Sequence, residues 1–222
     1  MNSPLARRFA LTIALTASVM ALFAARPELD LSAAAPFFDH GRWIGDVPLG
    51  RLARKIGIWL PILVAVAFLA LYLAKRFFGW RGPAPDGRKT AYVALALILG
   101  PGLLVNVVLK DHWHRPRPYQ TAQFGGPDAF RPWELHDGAC ATNCSFPSGE
   151  ASGAFFLVAP ASLAPPPWQA PAVAAAIAFG AAVGLLRMAF GGHYLSDVLL
   201  GGLSSILLAQ VLCAFLIDRP KS

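Results

Sequence analysis

The stretch Thr90–Leu109, TAYVALALILGPGLLVNVVL, carries no charge along its length. It ends abruptly in Lys110-Asp111-His112-Trp113-His114-Arg115-Pro116-Arg117-Pro118. About 20 mainly apolar residues is the length an α-helix needs to cross a bilayer. Backbone in lipid must bond to itself, so such a run reads as a spanning helix. Five more runs can be drawn: Phe9–Ala25, Gly57–Ala74, Ser148–Ala164, Ala170–Phe190 and Tyr194–Ile217. The fourth in chain order, Ser148–Ala164, is the weakest, because Pro160 interrupts it and Pro165-Pro166-Pro167 ends it.

Composition agrees with a membrane class. Of 222 residues, 56% are hydrophobic and 14% charged, against about a quarter charged in soluble domains. The chain has too few charges to cover a water-facing surface. We expect an all-α, integral membrane six-helix bundle, a single domain over residues 1–222. The net charge of +7 does not point to nucleic acid, since the basic residues lie between apolar runs and form no stripe.

Arg7-Arg8 ahead of the first run resembles the charged start of a signal peptide. Leu22-Phe23-Ala24-Ala25 lacks the small residues of a cleavage site, so a retained helix is expected. Leu52–Ile56 reads as a short interfacial helix before the second run. Gly180-x3-Gly184 would let helices pack closely. Six spans put both termini on one side. Nine basic residues fall there and ten opposite, so the positive-inside rule does not fix the orientation.

Alternation brings three polar clusters to one membrane face: Lys110–Pro118, Ser148-Gly149-Glu150, and Arg187 through His193 to Asp197. Ionisable groups at membrane depth are costly and usually functional. Lys110, Arg117 and Arg187 supply positive charge. The helix opening near Ser148 adds backbone N–H donors and the positive end of its dipole. Forked arginines, a lysine and free amides suit a phosphate. Asp197 four residues after His193 can orient one ring nitrogen and leave the other free to attack. Each piece alone has a plain structural reading: a snorkelling anchor, a local hydrogen bond, a helix cap with a first-turn acid. The case for a site rests on their convergence. His112-x-His114 with His136 is better read as polar surface than as a zinc site, so neither metal nor cofactor is expected.

These residues resemble the type 2 phosphatidic acid phosphatase superfamily. Lys110, six residues, then Arg117-Pro118 is similar to its first block. Pro147-Ser148-Gly149 is similar to the second, and Arg187-x5-His193-x3-Asp197 to the third. The motif region spans 110–197. The resemblance implies a metal-independent phosphatase in which His193 is the nucleophile and Asp197 its partner. It implies that Lys110, Arg117, Ser148, Gly149 and Arg187 hold the phosphate. It further implies a bacterial inner membrane protein with cytoplasmic termini. The active site would face the periplasm at the ends of helices 3 to 6. On that side a Cys140–Cys144 disulfide gains support over two free thiols.

Two positions depart from the family. Leu186 stands where the third block has serine, and Glu150 where the second has the histidine that protonates the leaving group. Glu150 can serve as that acid if its pKa is raised. Otherwise His112, His114 or His136 takes over, or the leaving group needs little help, or the site only binds. The expected function is hydrolysis of a phosphomonoester or diphosphate on a membrane lipid through a phosphohistidine. Phosphatidic acid, phosphatidylglycerophosphate, undecaprenyl diphosphate and lipid A are candidates. The alternatives are a lipid phosphotransferase and a non-catalytic phospholipid-binding or transport protein.

Overall fold

A computed structural model describes residues 4–110 and 112–218. Asp111, Arg219 and Lys221 lie outside the described residues. Among the described residues, the regular structure is helical apart from one small hairpin. The helices are α1 (Pro4–Ala25), α2 (Glu28–Ala34), α3 (Pro48–Phe77), α4 (Gly87–Leu97), α5 (Gly149–Phe155), α6 (Val158–Ala161), α7 (Gln169–Ala189) and α8 (Leu195–Leu216). The hairpin pairs β1 (Phe38–Asp39) with β2 (Arg42–Trp43).

Five helical segments among the described residues are long and apolar enough to cross a membrane: Leu5–Ala25, Pro48–Phe77, Gly87–Leu109, Gln169–Ala189 and Leu195–Leu216. The chain is thus an all-helical, multi-pass membrane protein. Outward-facing leucines on α1 and α3, such as Leu11, Leu15, Leu63 and Leu69, suit a surface wetted by lipid.

The run Ser148–Ala164 forms not one long helix but α5 and α6. Proline lacks an N–H, and its ring crowds the carbonyl four residues earlier. Pro160 therefore acts on Phe156, the residue that caps the end of α5. Both pieces are packed inside the protein: Ala151, Ser152, Ala154, Phe155 and Ala159 are buried.

Leu52–Ile56 is not a separate interfacial helix. Pro48 opens α3 at its first position, where a fixed φ and a missing N–H cost nothing. The helix then runs unbroken for 30 residues. Asp86 caps α4 by accepting from the Lys89 amide at 2.9 Å. Beyond Leu97 the helix widens into a π-helix, Ile98–Leu109. Its last bond runs from Lys110 N to Val105 O at 3.1 Å. Pro101 lies in the widened part, and its carbonyl accepts from Asn106 Nδ2 at 2.6 Å. Such widening often marks functional sites, and here it ends at Lys110.

Helix α8 is the hub, packed against α1, α4, α5 and α7. Small residues permit this. Gly180 faces the Phe155 ring, and Gly184 faces Val198, which accounts for the Gly-x3-Gly pattern. A Cβ on Gly201 would press within 2.8 Å of the Ser148 carbonyl. That glycine lets the Ser148 loop lie directly on α8. One core cluster joins Tyr92, Val93 and Ala96 to Phe156, Ala159 and Ala209. Another joins Val19 and Phe23 of α1 to Phe146, Leu200 and Leu203.

Candidate active site

Five elements meet at one end of the bundle: the start of α3, the exit of the π-helix, the loop to Ser148 with the first turn of α5, the end of α7, and the start of α8. His193 sits two residues ahead of α8, and Asp197 lies in that helix's first turn. Both are fully buried. His193 Nδ1 is 2.6 Å from the Ser145 carbonyl. A carbonyl only accepts, so Nδ1 carries the hydrogen and the lone pair stays on Nε2. Asp197 Oδ2 lies 3.7 Å from the same Nδ1, too far for a hydrogen bond. The expected direct His–Asp bond is thus replaced by a bond to Ser145. Ser145 is in turn held by Asp197, whose Oδ2 accepts from Ser145 Oγ at 2.5 Å and from Tyr194 N at 2.9 Å. Burial pushes the His193 pKa down to about 4 against the pull of Asp197, and Arg187 and Arg117 push the same way. The imidazole is therefore neutral at neutral pH.

The other Asp197 oxygen accepts from Arg115 Nη1 at 2.5 Å. Arg115 is fully buried. Its Nη2 donates to Asp30 Oδ2 at 2.7 Å, and its Nε to the Arg131 carbonyl at 2.8 Å. It also lies 4.4 Å over the Tyr194 ring, a cation–π position. Asp30, from α2, accepts from Ser196 N at 2.8 Å and Ser196 Oγ at 2.6 Å. Sequence reasoning gave no role to Arg115, Asp30 or Ser145. Arg115 stood in view inside the first block, whereas nothing near Asp30 marked it.

Above this buried layer the cations gather. Lys110 feels the charges of Arg117, Glu150, Arg187 and Asp197, and burial, reinforced by Arg117, lowers its pKa to about 8. Arg117 donates from Nε and Nη2 to the Asn143 carbonyl, at 3.0 and 2.7 Å, and from Nη2 to Asn143 Oδ1 at 2.8 Å. Asn143 lies inside the loop that the Cys140–Cys144 disulfide closes. Ser148 caps α5, its Oγ accepting from Ala151 N at 3.4 Å, while its own amide donates to the Asp197 carbonyl at 3.0 Å. Gly149 lies against the Asn106 amide, leaving no room for a Cβ.

Glu150, in the first turn of α5, is gripped by two arginines. Arg54 of α3 donates from Nη2 at 2.7 Å and from Nε at 3.0 and 3.1 Å. Arg187 Nε is 3.3 Å from Oε1, an ion pair without hydrogen-bond alignment, so that this buried Nε has no hydrogen-bond partner. Burial raises the Glu150 pKa, but Arg54 and Arg187 outweigh it and hold the carboxyl below its ordinary range. The raised pKa that the acid role needs is absent from this arrangement. The loop histidines are occupied elsewhere or outside: His114 Nδ1 pairs with the Cys140 carbonyl at 2.9 Å, His136 stacks on Trp113, and His112 is exposed.

The structure thus brings Lys110, Arg117, Ser148, Gly149, Glu150, Arg187, His193 and Asp197 to one place. A cleft of about 710 Å³ descends from Lys110 and Glu150 along Ile58 and Ile62 of α3 and Leu97 and Leu103 opposite. A polar mouth on an apolar cleft matches a phosphorylated lipid.

The model of the PAP2 superfamily matches residues 89–220. The chain belongs to that superfamily. It is 38% identical to a lipid A 4'-phosphatase of Rhizobium leguminosarum over 194 residues, 87% of this chain and 83% of the relative. It is 35% identical to the lipid A 4'-phosphatase of Francisella tularensis subsp. novicida over 204 residues, 88% of this chain and 89% of that one. The Rhizobium etli lipid A 4'-phosphatase is 38% identical over 194 residues, 87% of this chain and 76% of its own length. No solved structure matches. With this kinship the chain is a PAP2-type lipid phosphatase.

Proposed function

We propose that this PAP2 protein hydrolyses the 4'-phosphate of lipid A or a close relative of it, through a phosphohistidine on His193. The observation that carries the reading is the neutral His193 within the fields of Arg117 and Arg187, next to an apolar cleft lined at its polar end by Lys110 and Glu150. The relatives' names supply the substrate. The lipid's acyl region lies along the cleft, and its phosphate sits among the cations. Ser148 and Gly149 complete the phosphate cradle, the Ser148 hydroxyl giving the hydrogen that the cap leaves unused.

His193 Nε2 attacks phosphorus, and the bond to the sugar oxygen breaks. The ring becomes positive, and the Ser145 carbonyl and Asp197 stabilise it. Glu150 is ionised in the empty site. A phosphate dianion that takes over its arginines raises its proton affinity twice, by removing positive charge and by adding negative. The protonated carboxyl then protonates the leaving oxygen. In the second half it takes a proton from water, which attacks the phosphohistidine and releases inorganic phosphate. Fixed positive charge around the transferring phosphoryl group is the main catalytic contribution.

In the same reading residues 1–222 form a single domain, and α5 and α6 complete a sixth passage. A broken passage is tolerable there because protein, not lipid, surrounds it. The termini are cytoplasmic in an inner membrane, and the site faces the periplasm, where a Cys140–Cys144 disulfide persists.

Phosphate release by detergent-purified protein tests the reading, with lipid A, phosphatidic acid, phosphatidylglycerophosphate and undecaprenyl diphosphate as substrates. We expect release from lipid A that survives EDTA and disappears in His193→Ala. No release from any of them would reject hydrolysis. Phosphate appearing on a second lipid instead would mark a phosphotransferase.

A further inference from the structure

Arg54 lies outside all three motif blocks, on the second turn of α3. Its Nη2 and Nε make a forked pair with the Glu150 carboxylate. Arg187 approaches the same Oε1 from another helix, with its buried Nε lacking a hydrogen-bond partner. Both guanidiniums lie by the Phe190 ring, at 5.9 and 5.8 Å. Two arginines therefore converge on one carboxylate at the mouth of the apolar cleft. The Arg54 side chain is 42% exposed and that of Glu150 19%, so an incoming ligand can reach the pair. A phosphoryl group offers an arginine fork the same two-oxygen edge that a carboxylate does.

We propose that Arg54 is a phosphate-binding residue of this site, and that Glu150 holds the place of two phosphoryl oxygens between Arg54 and Arg187 until substrate displaces it. The proposal rests on the phosphatase reading above. The charges suit such a partner, because a fourth cation leaves the site net positive as the dianion arrives. A phosphomonoester dianion beside an ionised Glu150 brings three negative charges, against three positive from Lys110, Arg117 and Arg187. Arg54 adds a fourth. It also links binding to acid catalysis: only when both arginines turn to the phosphate is Glu150 released to take up a proton.

A double-mutant cycle decides it, using Arg54→Ala, Arg54→Lys, Glu150→Gln and the Arg54→Ala/Glu150→Gln pair. Two quantities are read: the KM for lipid A, and the half-saturating concentration of inorganic phosphate by calorimetry. A direct contact predicts that Arg54→Ala weakens phosphate about tenfold or more, in both the wild-type and the Glu150→Gln background. Arg54→Lys should recover part of the loss. Glu150→Gln alone should bind inorganic phosphate more tightly, because the competing carboxylate is gone. An Arg54→Ala effect that vanishes in the Glu150→Gln background would overturn the proposal, leaving Arg54 as a neutraliser of Glu150. Wild-type protein that does not bind inorganic phosphate would overturn it too. Absence of turnover in wild type would instead reject the phosphatase reading, while calorimetry would still decide the role of Arg54.

Discussion

Among the arginines that hold carboxylates, Arg115 and Arg54 do so in opposite settings. Arg115 is fully buried between Asp30 and Asp197, with its guanidinium further bonded to Ser196 and to the Arg131 carbonyl. Arg54 holds Glu150 at a rim where its own side chain is 42% exposed. The first pair cannot be exchanged for a ligand, since no ligand can reach it. It fixes Asp197, through Asp197 the Ser145 loop, and through that loop the His193 ring. The second pair is open to competition, and a phosphate is its natural competitor. The same chemical bond serves as scaffold in one place and as a displaceable stand-in in the other. Solvent access is what separates them.

The sharpest way to break this comparison is at Arg115. Arg115→Met keeps much of the volume but leaves Asp30 and Asp197 buried without their cation. Breaking a buried pair from one side costs about 3–5 kcal/mol. We expect a large fall in the thermal midpoint of the detergent-solubilised protein, together with loss of phosphate release. A melting curve close to wild type would show that the buried layer is no scaffold.

The next test sits between the two settings, at half-buried Lys110. Its pKa of about 8 lies below the lysine norm because burial, and then Arg117, disfavour the ammonium. The charge is present below about pH 8 and lost above it. Phosphate binding therefore weakens on the alkaline side, and kcat/KM, which reports the free enzyme, should fall about tenfold per pH unit beyond the limb. Bound phosphate favours the ammonium, so the limb in kcat should lie higher. Lys110→Arg should move the kcat/KM limb out of range. The acid limb is set by His193, which stays neutral down to about pH 4. An alkaline limb unchanged in Lys110→Arg would remove Lys110 from the phosphate site.

Much of this was legible in the sequence, and for identifiable reasons. Long uncharged runs such as Thr90–Leu109 announce themselves, because lipid tolerates little else. The three blocks were legible because phosphate chemistry needs particular side chains at fixed spacings. Three features were hidden. Pro160 marked a weak helix, but only the structure shows that α5 and α6 are buried within protein and so tolerate the break. Leu52–Ile56, with its arginine and lysine, read as a short interfacial helix before the second run. One of those charges, Arg54, in fact points to Glu150 across 96 positions of sequence, a contact no local pattern encodes. Asp30, 85 positions from Arg115, was hidden for the same reason. The Glu150 question turned on that distant contact as well. Arg187 was in view in the third block, but the acid's local setting says nothing of Arg54, which with Arg187 holds it ionised.

The smallest expected effect completes the comparison. Arg54→Ala removes a two-pronged ion pair that looks stronger on paper than either bond of Arg115. Its stability value should nonetheless be small. The guanidinium is well exposed and is rehydrated when unpaired, and solvent screens its attraction to Glu150. Pairs in that setting contribute about 0–1 kcal/mol. Glu150 keeps Arg187 at 3.3 Å in any case, so it is not left as an isolated buried charge. The thermal midpoint of Arg54→Ala should therefore stay close to wild type, while its phosphate affinity drops. A loss of stability as large as that of Arg115→Met would mean that Arg54 is scaffold too. The pair at the rim would then be no place for a ligand to enter.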